Sequence, residues 1–237
     1  MNFVIITHVQ HIKEHNKYYG YAPYVREMNI WLKYVDTVTV VAPIENIKLD
    51  AIHLDYKHKN LKFKEVQNFN TTSFLNLLQT LLKVPSILWT IFWAMKKADH
   101  IHLRCPGNMG LLGCLVQILF PKIPKTAKYA GNWDPNAIQP RTYKIQKWIL
   151  NNTFLTKNMQ VLVYGEWKGS SKNIKPFFTA TYSEEKKEAI LPRSLKSKIN
   201  FVFVGTLSVG KMPLYAIQLV ENLKKAGQNV QLSLFGD

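Results

Sequence analysis

Acidic residues and cysteine are both scarce in this sequence. Its 237 residues include 31 Lys and Arg but only 15 Asp and Glu, which gives a formal net charge of +16 at pH 7. This excess favours an anionic partner, namely a nucleic acid, an anionic membrane surface or a phosphorylated substrate. The two cysteines, Cys105 and Cys114, exclude a disulfide framework and match no zinc-binding spacing. We therefore expect small buried thiols in a reducing compartment.

Several sequence signatures are also missing. The N-terminal apolar run is too short for a secretory signal and no small-residue cleavage site follows it, so we expect a cytoplasmic location. The absence of G-x-G-x-x-G and G-x-x-x-x-G-K-[ST] argues against a dinucleotide dehydrogenase and a P-loop enzyme. His8, His11 and His15 lack a metal-binding spacing, and we interpret them as solvated loop residues. No nucleic-acid-binding motif is present and the basic residues are dispersed, so we expect no nucleic-acid partner.

Short Val- and Ile-rich runs alternate with longer helical patterns, which predicts an α/β fold with a parallel sheet and helices on both faces. The predicted strands are 3–9, 38–44, 61–66, 100–104, 127–131, 160–165 and 174–180. The predicted helices are 22–35, 73–97, 107–120, 141–151 and 183–190.

The chain is predicted to contain two domains. Residues 191–199 are polar and include Pro192, so we expect a linker there, between a domain at 1–190 and a second at 200–237. Residues 1–199 carry 28 basic and 13 acidic side chains, a net +15, whereas 200–237 carry 3 and 2, a net +1. Within 200–237, the runs "NFVFV" and "VQLSLF" flank a helical pattern, which predicts one βαβ unit.

The segment 73–97 is apolar for about twenty residues, close to the length that spans a membrane. Lys83 and Pro85 interrupt its middle, and a spanning helix would separate the strands on either side of it. We therefore predict a buried or interfacial crossover helix that is kinked at Pro85. Because Lys96 and Lys97 end the segment, shallow docking on anionic lipid is a further expectation.

The run "IHLRCPGNMGLLGCL" places Arg104 at a strand end, with Gly107, Asn108 and Gly110 at the start of the next helix. Free N–H groups at that helix start, together with the guanidinium, could hold a phosphate at the carboxyl edge of the sheet. In the alternative interpretation the glycines allow close helix packing and Arg104 pairs with a local carboxylate. The sequence leaves both interpretations open.

Two further strand ends carry polar groups. In "KYAGNWDP", Asn132, Trp133 and Asp134 could bind a sugar hydroxyl, although an Asp before Pro is more typical of a turn or helix cap. In "NFVFVGTLSVGKMP", Gly205 allows a tight turn and Lys211 lies beside a helix start, which is a workable arrangement for binding a diphosphate.

In their order along the chain these motifs resemble the GT-B retaining glycosyltransferases of family 4. "FVGTLSVGKMPLYAIQL" keeps the strand, Gly205, Leu207, Lys211 and the helix of that family's V-G-R-L…K-G region. "VQLSLFGD" resembles its next strand, and "IHLRCPGNMGLLG" and "KYAGNWDP" resemble two strand ends that line its cleft. The resemblance implies an N-terminal Rossmann-like domain for the acceptor. It also implies the first βαβ unit of a second Rossmann-like domain for the nucleotide-sugar.

The sequence departs from the family at several positions. Thr206 stands where the family has Arg, and Met212 stands where it has Gly. The E-x₇-E stretch of the family would lie beyond Asp237. We therefore expect a chain that is truncated early in the donor domain and has little or no turnover alone.

The resemblance implies a function and a set of site residues. The expected reaction moves a hexose from a UDP- or GDP-linked sugar to a cell-envelope glycan or lipid-linked acceptor, with no metal and no further cofactor. The alternative is a non-catalytic membrane-surface or partner-binding half of a split transferase. The resemblance assigns catalytic roles to Arg104, Asn132 and Asp134, donor binding to Gly205, Thr206, Lys211 and Gly236, and the acceptor cleft to Gly107, Asn108, Gly110 and Trp133.

Overall fold

The computed structural model describes residues 1–68, 74–178, 184–192 and 198–236. The chain divides into two units, Met1–Ser183 (unit 1) and Glu184–Asp237 (unit 2). Parts of the predicted elements lie outside the described residues, namely 73, 179–180, 183 and 193–197.

The described part of unit 1 contains ten strands and four α-helices. The strands are β1 (Asn2–Ile6), β2 (His11–Glu14), β3 (Lys17–Tyr21), β4 (Thr37–Pro43), β5 (His53–Asp55), β6 (Leu61–Val66), β7 (His100–Cys105), β8 (Lys125–Tyr129), β9 (Met159–Val163) and β10 (Ile174–Pro176). The helices are α1 (Ala22–Trp31), α2 (Phe74–Met95), α3 (Asn108–Val116) and α4 (Arg141–Leu150).

Seven of these strands form one parallel sheet in the order β10-β9-β8-β7-β1-β4-β6. Alternate residues of the central strand enter different cores. Val4 and Ile6 pack with α2, α3 and α4, whereas Phe3 and Ile5 pack with α1. Burial on both faces explains the nearly continuous apolar strands. The predicted α/β fold with helices on both faces is confirmed.

Helix α2 packs on the core through one face. Ile87, Ile91 and Met95 are buried at spacings of four residues, and the helix continues through Pro85. No helix in the described ranges is both long enough and apolar enough to cross a bilayer.

Sequence analysis missed a small antiparallel sheet, β2-β3-β5, which follows β1. Its hairpin turn is His15-Asn16, with φ of 46° and 61°, as a two-residue type I′ turn requires. The interpretation of His11 as a solvated loop residue was wrong, because His11 lies on β2 and is fully buried. Its Nε2 is 2.9 Å from the Tyr56 hydroxyl oxygen. Asn16 was the one turn signal available in this stretch.

The described part of unit 2 contains two parallel strands, β11 (Ile199–Val204) and β12 (Val230–Phe235), with α5 (Pro213–Lys225) between them in the chain. Residue 199 belongs to a strand rather than to the linker, because it pairs with Val230. The predicted helix at 183–190 was wrong over its described part. Only Glu184–Lys186 forms a single 3-10 turn, and Ile190 is 97% exposed, so no core holds a helix there.

His102 on β7 is a fully buried histidine between aromatic rings. Its ring centroid lies 4.9 Å from that of Trp31, and its Nδ1 is 2.9 Å from Thr126 Oγ1. The pKa of His102 is lowered to about 3, mainly by burial and to a smaller extent by the positive charge of Arg104. The folded chain therefore holds this imidazole in its neutral form.

We expect His102 to make stability depend on pH. An unfolded histidine binds a proton near pH 6.5, so between pH 6.5 and 3 the unfolded chain binds more protons than the folded one. The contribution of His102 is complete above pH 6.5 and decreases as pH falls. From pH 7 to 5 it should lower the free energy of unfolding by about 2 kcal/mol. Urea denaturation at both pH values should show this loss, and His102→Asn should reduce it by that amount. An unchanged pH dependence in H102N would contradict the assignment.

Candidate functional site

The candidate site lies at the carboxyl edge of the unit 1 sheet, where β1 separates two series of strands. β4 and β6 extend from β1 on one side, and β7 to β10 extend on the other. Ligands of open α/β sheets bind at this kind of topological switch point. A cleft of about 230 Å³ opens there. It is lined by His8, Pro43, Gln67, Asn68, Gly107, Asn108, Met109 and Tyr143.

His8 borders this cleft directly after β1. A Cβ added to Gly107 would lie 2.7 Å from His8 Nδ1, so Gly107 is the residue type that leaves room for the imidazole. Gly107 also has φ of +153°, which other residues rarely adopt. The pKa of His8 is lowered, mainly by desolvation and to a smaller extent by the positive charge of Arg104. A neutral imidazole, able to accept a proton, therefore faces the cleft at pH 7.

The predicted glycines of α3 separate into two roles. Gly107 and Asn108 line the cleft. The Gly107 N–H donates a hydrogen bond to Gln146 Oε1 at 3.3 Å. Gly110 instead lies against β7, because an added Cβ would be 2.8 Å from the Arg104 carbonyl oxygen. At Gly110 the structure supports the close-packing interpretation.

Arg104 forms part of a buried charge cluster with Glu27 and Lys128. Lys128 Nζ is 2.7 Å from Glu27 Oε1, and Arg104 Nη1 is 3.6 Å from Glu27 Oε2. Arg104 and Lys128 are register partners on β7 and β8, so their side chains leave the same face of the sheet. The structure thus supports the local-carboxylate interpretation of Arg104. Two cations share this carboxylate, and the cluster carries a net charge of about +1 close to the site.

The loop after β8 is built by its own polar side chains. Asn132 Oδ1 accepts a hydrogen bond from the Asp134 N–H at 2.8 Å, and Asp134 Oδ1 accepts one from the Asn136 N–H at 2.9 Å. These bonds agree with the turn interpretation of Asp134. The placement of Trp133 in the cleft was wrong. Its ring is 4% exposed and packs edge-on against Tyr129 at 5.0 Å, because the loop turns that apolar ring into the core.

The predicted donor residues lie in unit 2. Gly205 and Gly236 end the paired strands β11 and β12, and a Cβ on Gly236 would overlap the Gly205 carbonyl oxygen. Thr206 and Lys211 follow Gly205 and are exposed. Met212 caps the start of α5 with φ of 56°, a conformation that favours glycine, which the resembled family has at this position.

Comparison with known proteins gives a fold but no family. The sequence matches no protein-family model and no curated protein. The crystal structure of Acinetobacter baumannii MurG is similar, with a TM-score of 0.51 and 11% identity over 100% of this chain and 68% of that chain. MurG is a GT-B glycosyltransferase. The chain therefore has the Rossmann-like α/β fold found in GT-B glycosyltransferases.

Sequence reasoning missed His8, Glu27 and Lys128 as members of the site region. The position of His8, near the end of the predicted first strand, was a usable signal because the carboxyl edge of the sheet begins there. Glu27 and Lys128 carried no such signal, since each looks like an ordinary surface charge in the sequence. No group of three or more His, Cys, Asp or Glu side chains in the described ranges could hold a metal ion.

We expect Glu27→Gln to destabilise the protein strongly. Glu27 is 6% exposed, and the substitution removes the carboxylate that two buried cations share. The free energy of unfolding should fall by about 3–5 kcal/mol. Urea denaturation followed by tryptophan fluorescence measures the change.

The matched control is Glu221→Gln, which breaks the exposed pair of Glu221 with Lys225 on α5 and should leave the denaturation curve unchanged. Equal losses of unfolding free energy in the two variants would show that the buried cluster contributes no more to stability than an exposed ion pair.

Proposed function

We propose that this protein is a glycosyltransferase that transfers a hexose from a UDP- or GDP-linked sugar to a cell-envelope glycan or a lipid-linked acceptor. The observation that carries the proposal is the switch-point cleft in a sheet of the GT-B type. The family 4 resemblance adds retention of the anomeric configuration to the proposal. Unit 1 binds the acceptor, and unit 2 contributes to binding of the nucleotide-sugar.

The cleft suits the end of an acceptor. Its volume of about 230 Å³ is below the roughly 300–1,000 Å³ of sites for larger ligands, so one sugar ring or a small head group fits it best. The amide side chains of Gln67, Asn68 and Asn108 line it and can both donate and accept hydrogen bonds. Such groups recognise sugar hydroxyls.

The charge cluster favours an acceptor that carries a negative group. Arg104 and Lys128 together exceed Glu27 by one positive charge, and all three side chains are largely removed from solvent. A buried charge acts over a longer distance than an exposed one, because solvent screens it less. A phosphate-linked lipid acceptor therefore fits better than a neutral glycan.

Lys211 and the backbone near Gly205 would stabilise the leaving diphosphate. In the transfer the bond between C1 of the hexose and the phosphate oxygen breaks, and its electron pair leaves with the nucleoside diphosphate. The acceptor hydroxyl oxygen forms the new bond to C1. The Lys211 ammonium and nearby N–H groups can neutralise the departing charge, which is an electrostatic role. Asn132 and Asp134 would act by holding the loop after β8.

The position of His8 favours a second candidate outcome, in which the configuration at C1 is inverted. In a retaining transfer the acceptor proton passes to the leaving phosphate oxygen. The neutral His8 imidazole at the cleft could take this proton instead, as a general base does in an inverting transfer. The non-catalytic partner-binding half of a split transferase is the remaining alternative, and it predicts sugar or nucleotide binding without transfer.

We expect Lys211→Ala to weaken nucleotide binding about tenfold, because a charge-assisted contact to the diphosphate is lost. Isothermal titration with UDP and with GDP measures the dissociation constants. Lys224→Ala, near the opposite end of α5, is the control and should bind like the parent protein. Loss of equal size in both variants, or no saturable binding by the parent protein, would contradict the donor role.

In an inverting transfer with His8 as general base, His8→Asn should lower transfer of labelled hexose into a lipid extract at least tenfold. In a retaining transfer the same substitution should leave transfer unchanged, and nucleotide binding should be unaffected in both cases. NMR of the product gives the configuration at C1. A retained configuration with full activity in H8N would assign the proton to the leaving phosphate. An inverted configuration with loss of activity would assign it to His8.

A cytoplasmic protein that lies peripherally on the inner face of the plasma membrane completes the proposal, because such a protein would meet a lipid-linked acceptor at that surface.

A further inference from the structure

We propose that one face of unit 1, formed by α2, α3 and α4, docks on an anionic lipid surface. We call this face the docking surface. It is defined by six exposed apolar side chains on these helices and on the short turn that follows α3. They are Leu82, Trp89, Leu115, Leu119, Ile145 and Trp148.

The three helices form one continuous layer. All of them bury residues in the core that also receives Val4 and Ile6, so they cover the same face of the sheet. α3 contacts both α2 and α4 and lies between them. Phe92 of α2 and Phe120, just after the α3 turn, have ring centroids 5.4 Å apart, which closes the space between these elements.

α2 presents apolar residues to solvent as well as to the core. Leu82 is 83% exposed and Trp89 is 65% exposed, two helical turns apart. Trp93 follows one turn later, half-buried, and the Lys96 ammonium lies 4.6 Å from its ring centroid. These residues form a stripe opposite the buried stripe of Ile87 and Ile91, so packing on the sheet does not account for them.

The neighbouring elements extend this apolar stripe sideways. Leu115 and Leu119 are exposed one turn apart. Ile145 and Trp148 of α4 are exposed at a spacing of three residues, and Trp148 is 63% exposed. Six large apolar side chains on adjacent helices exceed the scattered exposure that is normal for a protein surface.

The charges of this layer have one sign. α2, α3 and α4 contain no Asp or Glu, whereas they contain Lys83, Arg141, Lys144 and Lys147. Exposed tryptophans beside lysines, without carboxylates, are typical of helices that lie at the interface of an anionic bilayer.

This charge complementarity selects lipid over other occupants. A second copy of the chain would place the same cations opposite each other, which is unfavourable. A lipid headgroup layer supplies the opposite charge over a broad area, and its boundary with the acyl chains accepts the indole rings. The inference deepens the proposed function, because a membrane-bound enzyme meets a lipid-linked acceptor. The surface itself is independent of transferase chemistry.

Flotation with lipid vesicles tests the docking surface without any donor or acceptor. Vesicles of phosphatidylcholine with about one third phosphatidylglycerol should carry the protein at low salt, and pure phosphatidylcholine vesicles should not. Replacing both exposed tryptophans in W89S/W148S should lower the partition coefficient about tenfold or more. The control is Tyr34→Ser, an 80% exposed aromatic residue that follows α1, which packs on the other face.

A double substitution of lysines measures the electrostatic contribution to lipid binding. Lys96→Gln with Lys144→Gln should weaken binding roughly 25-fold, at about fivefold for each lysine lost near the surface. Lys33→Gln with Lys62→Gln removes two exposed lysines outside the docking surface and should have a smaller effect. Circular dichroism of each variant checks that the fold is retained.

Three outcomes would overturn the inference. They are no flotation of the parent protein, flotation that W89S/W148S leaves unchanged, and sedimentation that shows a dimer which W89S/W148S converts to monomer without any lipid binding. Lipid binding through this surface by a protein that binds no nucleotide would keep the inference and reject the proposed function. The two failures are therefore distinguishable.

Discussion

Burial of a parallel sheet on both faces is the constraint on which the rest of unit 1 depends. Alternate residues of β1 must enter two different cores, so helices are required on each side of the sheet. The carboxyl ends of the strands then meet at one edge, and the strands that follow β1 in the chain are added first on one side of it and then on the other. The cleft at the switch point follows from this order of strands, because the loops after β1 and β7 diverge there.

The same constraint decides the chemistry of the edge. Arg104 and Lys128 leave the sheet on the face that α1 covers, and α1 supplies Glu27 between them. A charged side chain in such a place requires a partner, because removal from water is costly. One carboxylate for two cations leaves a positive region at the strand ends. That region lowers the pKa of His8, although desolvation lowers it more. The charges that hold α1 on the sheet therefore also affect the protonation of His8 at the cleft.

The two faces of the sheet also differ in their relation to solvent. On the α1 side, the small β2-β3-β5 sheet packs near the helix and buries His11 with Tyr56. On the other side, α3 is mostly buried, whereas α2 and α4 pack through one face each and still expose Leu82, Trp89 and Trp148. The helices of this second face therefore combine exposed apolar side chains with cations and carry no carboxylate. The net charge of the chain does not reveal this difference between the two faces.

The α/β class, the parallel strands and the glycines before α3 could be predicted from the sequence, because periodicity and turn chemistry are local properties. The sequence also favoured a turn at Asp134, because an Asp before Pro is typical of a turn, and its Oδ1 accepts the Asn136 N–H two residues ahead. Only the tertiary structure decided that Trp133 is buried, that Gly110 lies against β7, and that Lys128 pairs with Glu27 across 101 positions of the chain. Such contacts depend on how distant elements pack, and no local pattern of residues encodes that packing.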